Sequence, residues 1–163
     1  MTNLYFTPLT GSCKCGDVRF RMEIAPIITH CCHCLSCQKV SGTAFRVNAM
    51  IETDQLTILA GEPEAWQGKD SHKVMQCPSC RFALWSHIPQ LGERVAFVGT
   101  GMLDNSSALV PEAHYFIRSK HPRVALPAGI PSFEALGDPG KAELRDRIFA
   151  AIGNAASVAS PPT

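Results

Sequence analysis

The placing of eight cysteines does most to narrow what this chain can fold into. Cys13 and Cys15 form a C-x-C pair inside the stretch GSCKCG. Cys32, Cys34 and Cys37 form the run C-H-C-L-S-C, with Cys31 just before it. Cys77 and Cys80 close the turn C-P-S-C. The opening stretch MTNLYFTPLTGS has neither the basic segment nor the long apolar run of a secretory leader, so a cytoplasmic chain is expected. Disulfides are disfavoured in that compartment, which makes metal ligation or thiol chemistry the better starting point.

Zinc prefers tetrahedral sulfur and nitrogen donors. A C-x-x-C turn presents two thiolates to one ion, and Pro78 stiffens the turn at Cys77 and Cys80. Cys13 and Cys15 can complete a closed four-sulfur site if strand pairing brings the two pairs together. Cys32, Cys34 and Cys37 remain. Three thiolates fit a second zinc and leave its fourth position open, as in catalytic sites. His33 lies inside that run as a ligand candidate, but on so tight a turn packing or support of the ligands is the plainer role. In an extended stretch Cys31 points opposite to Cys32 and is expected as a small buried hydrophobe.

Other readings of the thiols stay open at this point. Cys77 and Cys80 form a redox pair if they open a helix, but Phe82-Ala83-Leu84-Trp85 reads as a strand. An exported disulfide domain lacks an export signal. One structural zinc with spare thiols is a further alternative, and an iron–sulfur cluster wants a different run.

The chain between these groups reads as strands. Val18 to Ile24 alternates apolar and polar with period two. Ile27 to Thr29, Thr43 to Met50, Gln55 to Leu59, Glu64 to Gln67, Lys73 to Gln76, Phe82 to Trp85, Arg94 to Gly99 and Tyr115 to Arg118 are further candidates. Many short strands with frequent turns point to a mainly β core. A short helix is expected over Leu35 to Val40. A C-terminal helix is expected from Asp138, which can cap it ahead of Pro139. The expected division is a zinc-binding domain over residues 1–135 and a helix with a frayed tail over 136–163. With 163 residues and 45% hydrophobic content, one domain with a real core is expected. A net charge of +1 with no basic block argues against nucleic-acid binding. No stretch reaches the ~18 apolar residues of a membrane span.

GSCKCGDVRF (residues 11–20), CHCLSCQKVSG (32–42) and CPSC (77–80) occur in that order. Together they resemble the glutathione-dependent formaldehyde-activating enzyme family, which shares its domain with the centromere protein V group. GMLDN (101–105) and PEAHYFIRSK (111–120) are weaker echoes of the same pattern. The resemblance implies a β-tent, Mss4-like scaffold holding two zinc ions. The residues matching Cys13, Cys15, Cys77 and Cys80 hold the structural one; those matching Cys32, Cys34 and Cys37 hold the catalytic one. It implies a carbon–sulfur lyase that joins glutathione, or a similar thiol, to formaldehyde or another small aldehyde, or runs the reverse. The implied partners are small thiols and aldehydes, with homodimerisation left open. The chain departs from the family pattern at Arg81, where glycine is usual, at Gln76, where an aromatic is common, and at Lys14, where histidine often stands. A left-handed backbone at Arg81 would cost about 1–2 kcal/mol.

Lys14, Lys39 and Arg46 are candidates to meet a substrate carboxylate, each with a plainer reading as an ordinary charge. His114 is a candidate for a substrate hydrogen bond or a turn support, and Asp104 reads first as a turn residue. Trp66, Trp85 and Phe45 read as core or cleft wall. The readings that compete with the lyase are a zinc-stabilised interaction module without catalysis, a chromatin module, and a different enzyme, a sulfoxide reductase relying on Cys31.

Overall fold

The computed structural model describes residues 6–136. Along the chain run β1 (Leu9–Ser12), β2 (Arg19–Met22), β3 (Ile28–Cys32), α1 (Leu35–Ser41), β4 (Arg46–Glu52) and β5 (Leu56–Ala60). They are followed by β6 (Glu64–Gln67), β7 (Lys73–Gln76), β8 (Ala83–His87), β9 (Val95–Gly99), β10 (Ala113–Tyr115) and β11 (Ser132–Phe133). The architecture is mainly β and fits the β-tent, Mss4-like arrangement. The C-terminal helix expected from Asp138 lies outside the described residues. Among the described residues no helix is long and apolar enough to cross a membrane.

Two sheets form. A three-stranded sheet has the order β1-β2-β5, and an eight-stranded sheet the order β11-β10-β3-β4-β9-β8-β7-β6. The large sheet is antiparallel from β3 through to β6, whereas β10 pairs parallel with both β3 and β11. A glycine lets the small sheet meet a loop of the large one. Gly11 bridges Leu103, and a Cβ at Gly11 would stand 2.5 Å from the Met102 carbonyl oxygen and 2.8 Å from the Phe20 ring. The first glycine of GSCKCG is therefore a contact point between sheets.

The period of two in the strands sorts side chains into two cores. Ala49 and Ile51 of β4, with Ala96 and Val98 of β9, pack against Phe20, Met22, Leu84 and Trp85. Met50, Val95 and Phe97 face the other way, toward Ile28, Ala113 and Tyr115. β9 is thus covered on both faces, which is why it reads V-A-F-V without a polar alternation. Cys13 and Cys77 belong to the first core, so the loops that carry them are anchored in packed interior.

Differences from the sequence expectations are local. β4 starts at Arg46, because Thr43-Ala44-Phe45 lies in the loop that follows α1. The last expected strand, Tyr115 to Arg118, meets the observed β10 (Ala113–Tyr115) only at Tyr115. Phe116 takes a left-handed backbone with φ 59°, and a 3-10 turn over Ile117–Ser119 follows. The four-residue β1 and the two-residue β11 are too short to leave a pattern.

Candidate metal centres and the groove beside them

Cys13 and Cys15 sit on the turn between β1 and β2, and Cys77 and Cys80 on the turn between β7 and β8. The two turns are built alike. The Cys13 amide donates to the Val18 carbonyl at 3.0 Å, and the Cys77 amide to the Phe82 carbonyl at 3.1 Å. In each, the residue after the second cysteine is left-handed: Gly16 at φ 84° and Arg81 at φ 62°. The Arg81 guanidinium forms an ion pair with Glu64, whose carboxylate also accepts from Gln76 Nε2 at 2.9 Å. The four sulfurs all lie within 4.8 Å of one another, with Cys13 and Cys15 Sγ 3.4 Å apart and Cys15 and Cys77 Sγ 3.7 Å apart. A disulfide has its sulfurs at about 2.05 Å. A tetrahedron of sulfurs ~2.3 Å from zinc has edges of about 3.8 Å. The donor set therefore fits a closed zinc site.

Cys32, Cys34 and Cys37 form a second group, again with sulfurs within 4.8 Å of one another. Cys32 ends β3. Cys34 is the N-cap of α1, and its sulfur accepts from the Cys37 amide at 3.3 Å. Asn48 Nδ2, on the neighbouring β4, donates to Cys37 Sγ at 3.9 Å. The trio divides its protons unevenly. Hydrogen bonds from Cys32 and then Cys37 pull the Cys34 thiol down to about 2. The same contacts with Cys34 and Cys37, together with burial, push Cys32 well above the ordinary thiol range. Three soft donors, one of them held anionic, also fit zinc and leave a position for a fourth ligand.

The turn that carries the trio is fastened from behind. The His33 amide donates to the Tyr115 carbonyl at 2.9 Å, and the His33 carbonyl accepts from Gln38 Nε2 at 2.8 Å and Ser119 Oγ at 2.9 Å. The buried His33 ring meets His114, with Nε2 2.9 Å from His114 Nδ1, and its nitrogens are not part of the clustered donor group. Burial holds both imidazoles below their ordinary value. His33 and His114 thus support the turn. Cys31 is buried as expected, and burial pushes its thiol up to about 11. A thiol so placed is a poor nucleophile.

A groove of about 350 Å³ opens between the end of α1 and the strands β4, β8 and β9, and its lining reaches Arg46, which pairs with Cys32 across β3 and β4. Val40, Phe45, Phe82 and Met102 supply apolar wall, and Arg46 lies at its inner side. Lys39 is exposed, and Lys14 lies over the Phe82 ring at 5.8 Å. Trp85 is core, whereas Trp66 is 54% exposed on β6. Asp104 accepts from Thr10 Oγ1 at 2.6 Å and steadies the turn that docks on β1. Sequence reasoning assigned no role to Asn48 and Gly99, which lie in stretches that look like ordinary strand, nor to Gln38 and Ser119, which lie inside quoted motifs without standing out in them. Only the fold brings Asn48 to Cys37, Ser119 to His33 and Gly99 to Arg46.

A family model described as glutathione-dependent formaldehyde-activating enzyme matches residues 8–119. No curated protein matches the chain. Among solved structures, the crystal structure of a Rhodobacter sphaeroides protein is similar at a TM-score of 0.49 and 16% identity, covering 76% of this chain and 98% of that one.

Proposed function

From the premise that the chain belongs to the glutathione-dependent formaldehyde-activating enzyme family, we propose that it is a zinc-dependent carbon–sulfur lyase. It adds a thiol, glutathione or one like it, to formaldehyde or another small aldehyde, or cleaves the product. The observation that carries this reading is the division of seven thiols into a group of four and a separate group of three, with Arg46, the cross-strand partner of Cys32, lining a groove. Cys13, Cys15, Cys77 and Cys80 hold the structural zinc; Cys32, Cys34 and Cys37 hold the catalytic one. Zinc held by these three thiolates would supply a Lewis acid that lowers the pKa of a substrate thiol toward neutral pH.

The chain's own residues do the rest. The addition forms one C–S bond, and the proton given up by the thiol ends on the former aldehyde oxygen; the reverse returns it. Cys34 is held anionic by its neighbours, so part of the charge needed for ligation is present before any ion arrives. The Asn48 amide donates to Cys37 Sγ and fixes where that sulfur points. Phe45 and Val40 wall the groove against water, and confinement supplies the proximity a bimolecular addition lacks. The His33–His114 pair and the Gln38 and Ser119 bonds keep the turn in register.

The test is the appearance of an S-hydroxymethyl thioether from thiol and formaldehyde, followed by proton NMR above the spontaneous rate. Wild type should accelerate the exchange, and a Cys34→Ser/Cys37→Ser variant should not. Equal rates with and without wild-type protein would leave a zinc-stabilised interaction module as the better reading.

A further inference from the structure

Arg46 is the one charged residue that lines the groove among the described residues. β3 and β4 place it directly opposite Cys32. Asn48, two residues on and on the same face of β4, lies opposite Gly99 of β9. The Arg46 side chain runs across that diagonal. A Cβ built on Gly99 would stand 2.3 Å from Arg46 Nη2 and 2.9 Å from Nε. Gly99 has φ −66°, a value open to any residue. The backbone there does not ask for glycine; the guanidinium does. The space of a missing side chain houses the cation.

The guanidinium is poorly satisfied. Among the described residues its hydrogen bond is from Nη2 to the Ala83 carbonyl at 3.3 Å. None of the ion pairs among the described residues includes Arg46. Burial pushes it below the ordinary arginine value, and the nearby Cys37 and Cys32 sulfurs act against that. A half-buried cation with a fork of N–H donors, no carboxylate of its own and an apolar groove in front of it matches a planar anion. A volume of about 350 Å³ is that of a small-molecule site.

We infer that Arg46, seated in the space Gly99 leaves open, receives a carboxylate of the thiol substrate. This rests on the function proposed above and narrows it to thiols that carry a carboxylate within reach of their sulfur. Lys14 and Lys39, the other cations considered from the sequence, do not line the groove.

The experiment uses the zinc-loaded protein and two probes with a blocked sulfur: S-methylglutathione and its dimethyl ester. Calorimetric titration reads binding without turnover. Wild type should bind the free acid about 10-fold or more tightly than the ester. Arg46→Gln should bind both alike with unchanged zinc content, and Gly99→Ala should lose part of the preference with the arginine still present. The Arg46→Gln/Gly99→Ala double variant should be no worse than Arg46→Gln alone, since the alanine methyl then meets no guanidinium. Equal binding of acid and ester by wild type, or no binding of either, overturns the inference without need of a variant. So does an Arg46→Gln that keeps the preference, and one that loses zinc while keeping it marks the arginine as a counter-charge to the thiolates. A wild type that prefers the acid yet joins no thiol to aldehyde would defeat the proposed function and leave the carboxylate receptor standing. Turnover of thiol acids and esters at equal efficiency would do the reverse.

Discussion

Arg81 carries a backbone cost that its contacts only partly offset. Its φ of 62° is the conformation expected to cost a non-glycine residue about 1–2 kcal/mol. Glu64 receives both Arg81 and Gln76, so two of the departures from the family pattern meet on one carboxylate. The ion pair is substantially exposed, at 64% and 39% of its side chains, and exposed pairs contribute about 0–1 kcal/mol. The backbone effect therefore dominates. Arg81→Gly should hold or raise the thermal midpoint, and the β-branched Arg81→Val should lower it relative to glycine by roughly 1–2 kcal/mol of stability. Equal midpoints for the two variants would contradict this. At Gly11 the obstacle is a backbone oxygen, which cannot swing aside. Gly11→Ala should cost roughly 1–3 kcal/mol in chemical denaturation, and an unchanged midpoint would contradict the contact. The glycine itself is plain in the sequence. What it touches is not, because Leu103 lies far along the chain and no local pattern announces the approach.

The short helix α1 and the end of β3 work as one element. Cys34 both caps α1 and belongs to the second sulfur group, so its two roles can be separated. Serine is a good N-cap and alanine a poor one. Cys34→Ser should lose metal from the second group and keep the helix, whereas Cys34→Ala should lose about 1 kcal/mol of stability as well. The same stability for both variants would remove the cap from the explanation. In metal-free reduced protein, neutral pH lies above the Cys34 value of about 2, which favours its thiolate, and below the Cys31 value of about 11, which favours its thiol. Iodoacetamide mapped by mass spectrometry should mark Cys34 well before Cys31, and the opposite order would contradict the assigned charges. Much of this element was legible: the C-H-C-L-S-C run, the helix over Leu35 to Val40, and the burial of Cys31. The parallel pairing of β10 with β3 was not, because a three-residue strand joined from a distance leaves no periodic trace. Without that pairing, neither the His33–His114 contact nor the Ser119 bond could be foreseen.

On the scale of the molecule, the first sulfur group ties the three-stranded sheet to the eight-stranded one. Cys13 and Cys15 follow β1 of the small sheet, and Cys77 and Cys80 interrupt the large sheet between β7 and β8. Cys15 and Cys77 are 62 positions apart, and closing so long a loop restricts the unfolded chain strongly. Stripping zinc from this group should loosen β1 and β2 first, seen as faster amide hydrogen exchange there than in β4 and β9. Uniform exchange would contradict a local tie. The pairing of the two cysteine turns was foreseeable from zinc chemistry alone, but the joining of two sheets was not, since strand patterns do not say which sheet a strand enters. The central claim is that the seven thiols form two separable zinc centres. Elemental analysis of zinc per chain tests it most directly, on protein purified with reductant and without chelator, beside a Cys34→Ser/Cys37→Ser variant. Two zinc ions falling to one, with the circular dichroism spectrum unchanged, is the expected result. One zinc in both proteins would contradict it and leave only the closed site of Cys13, Cys15, Cys77 and Cys80.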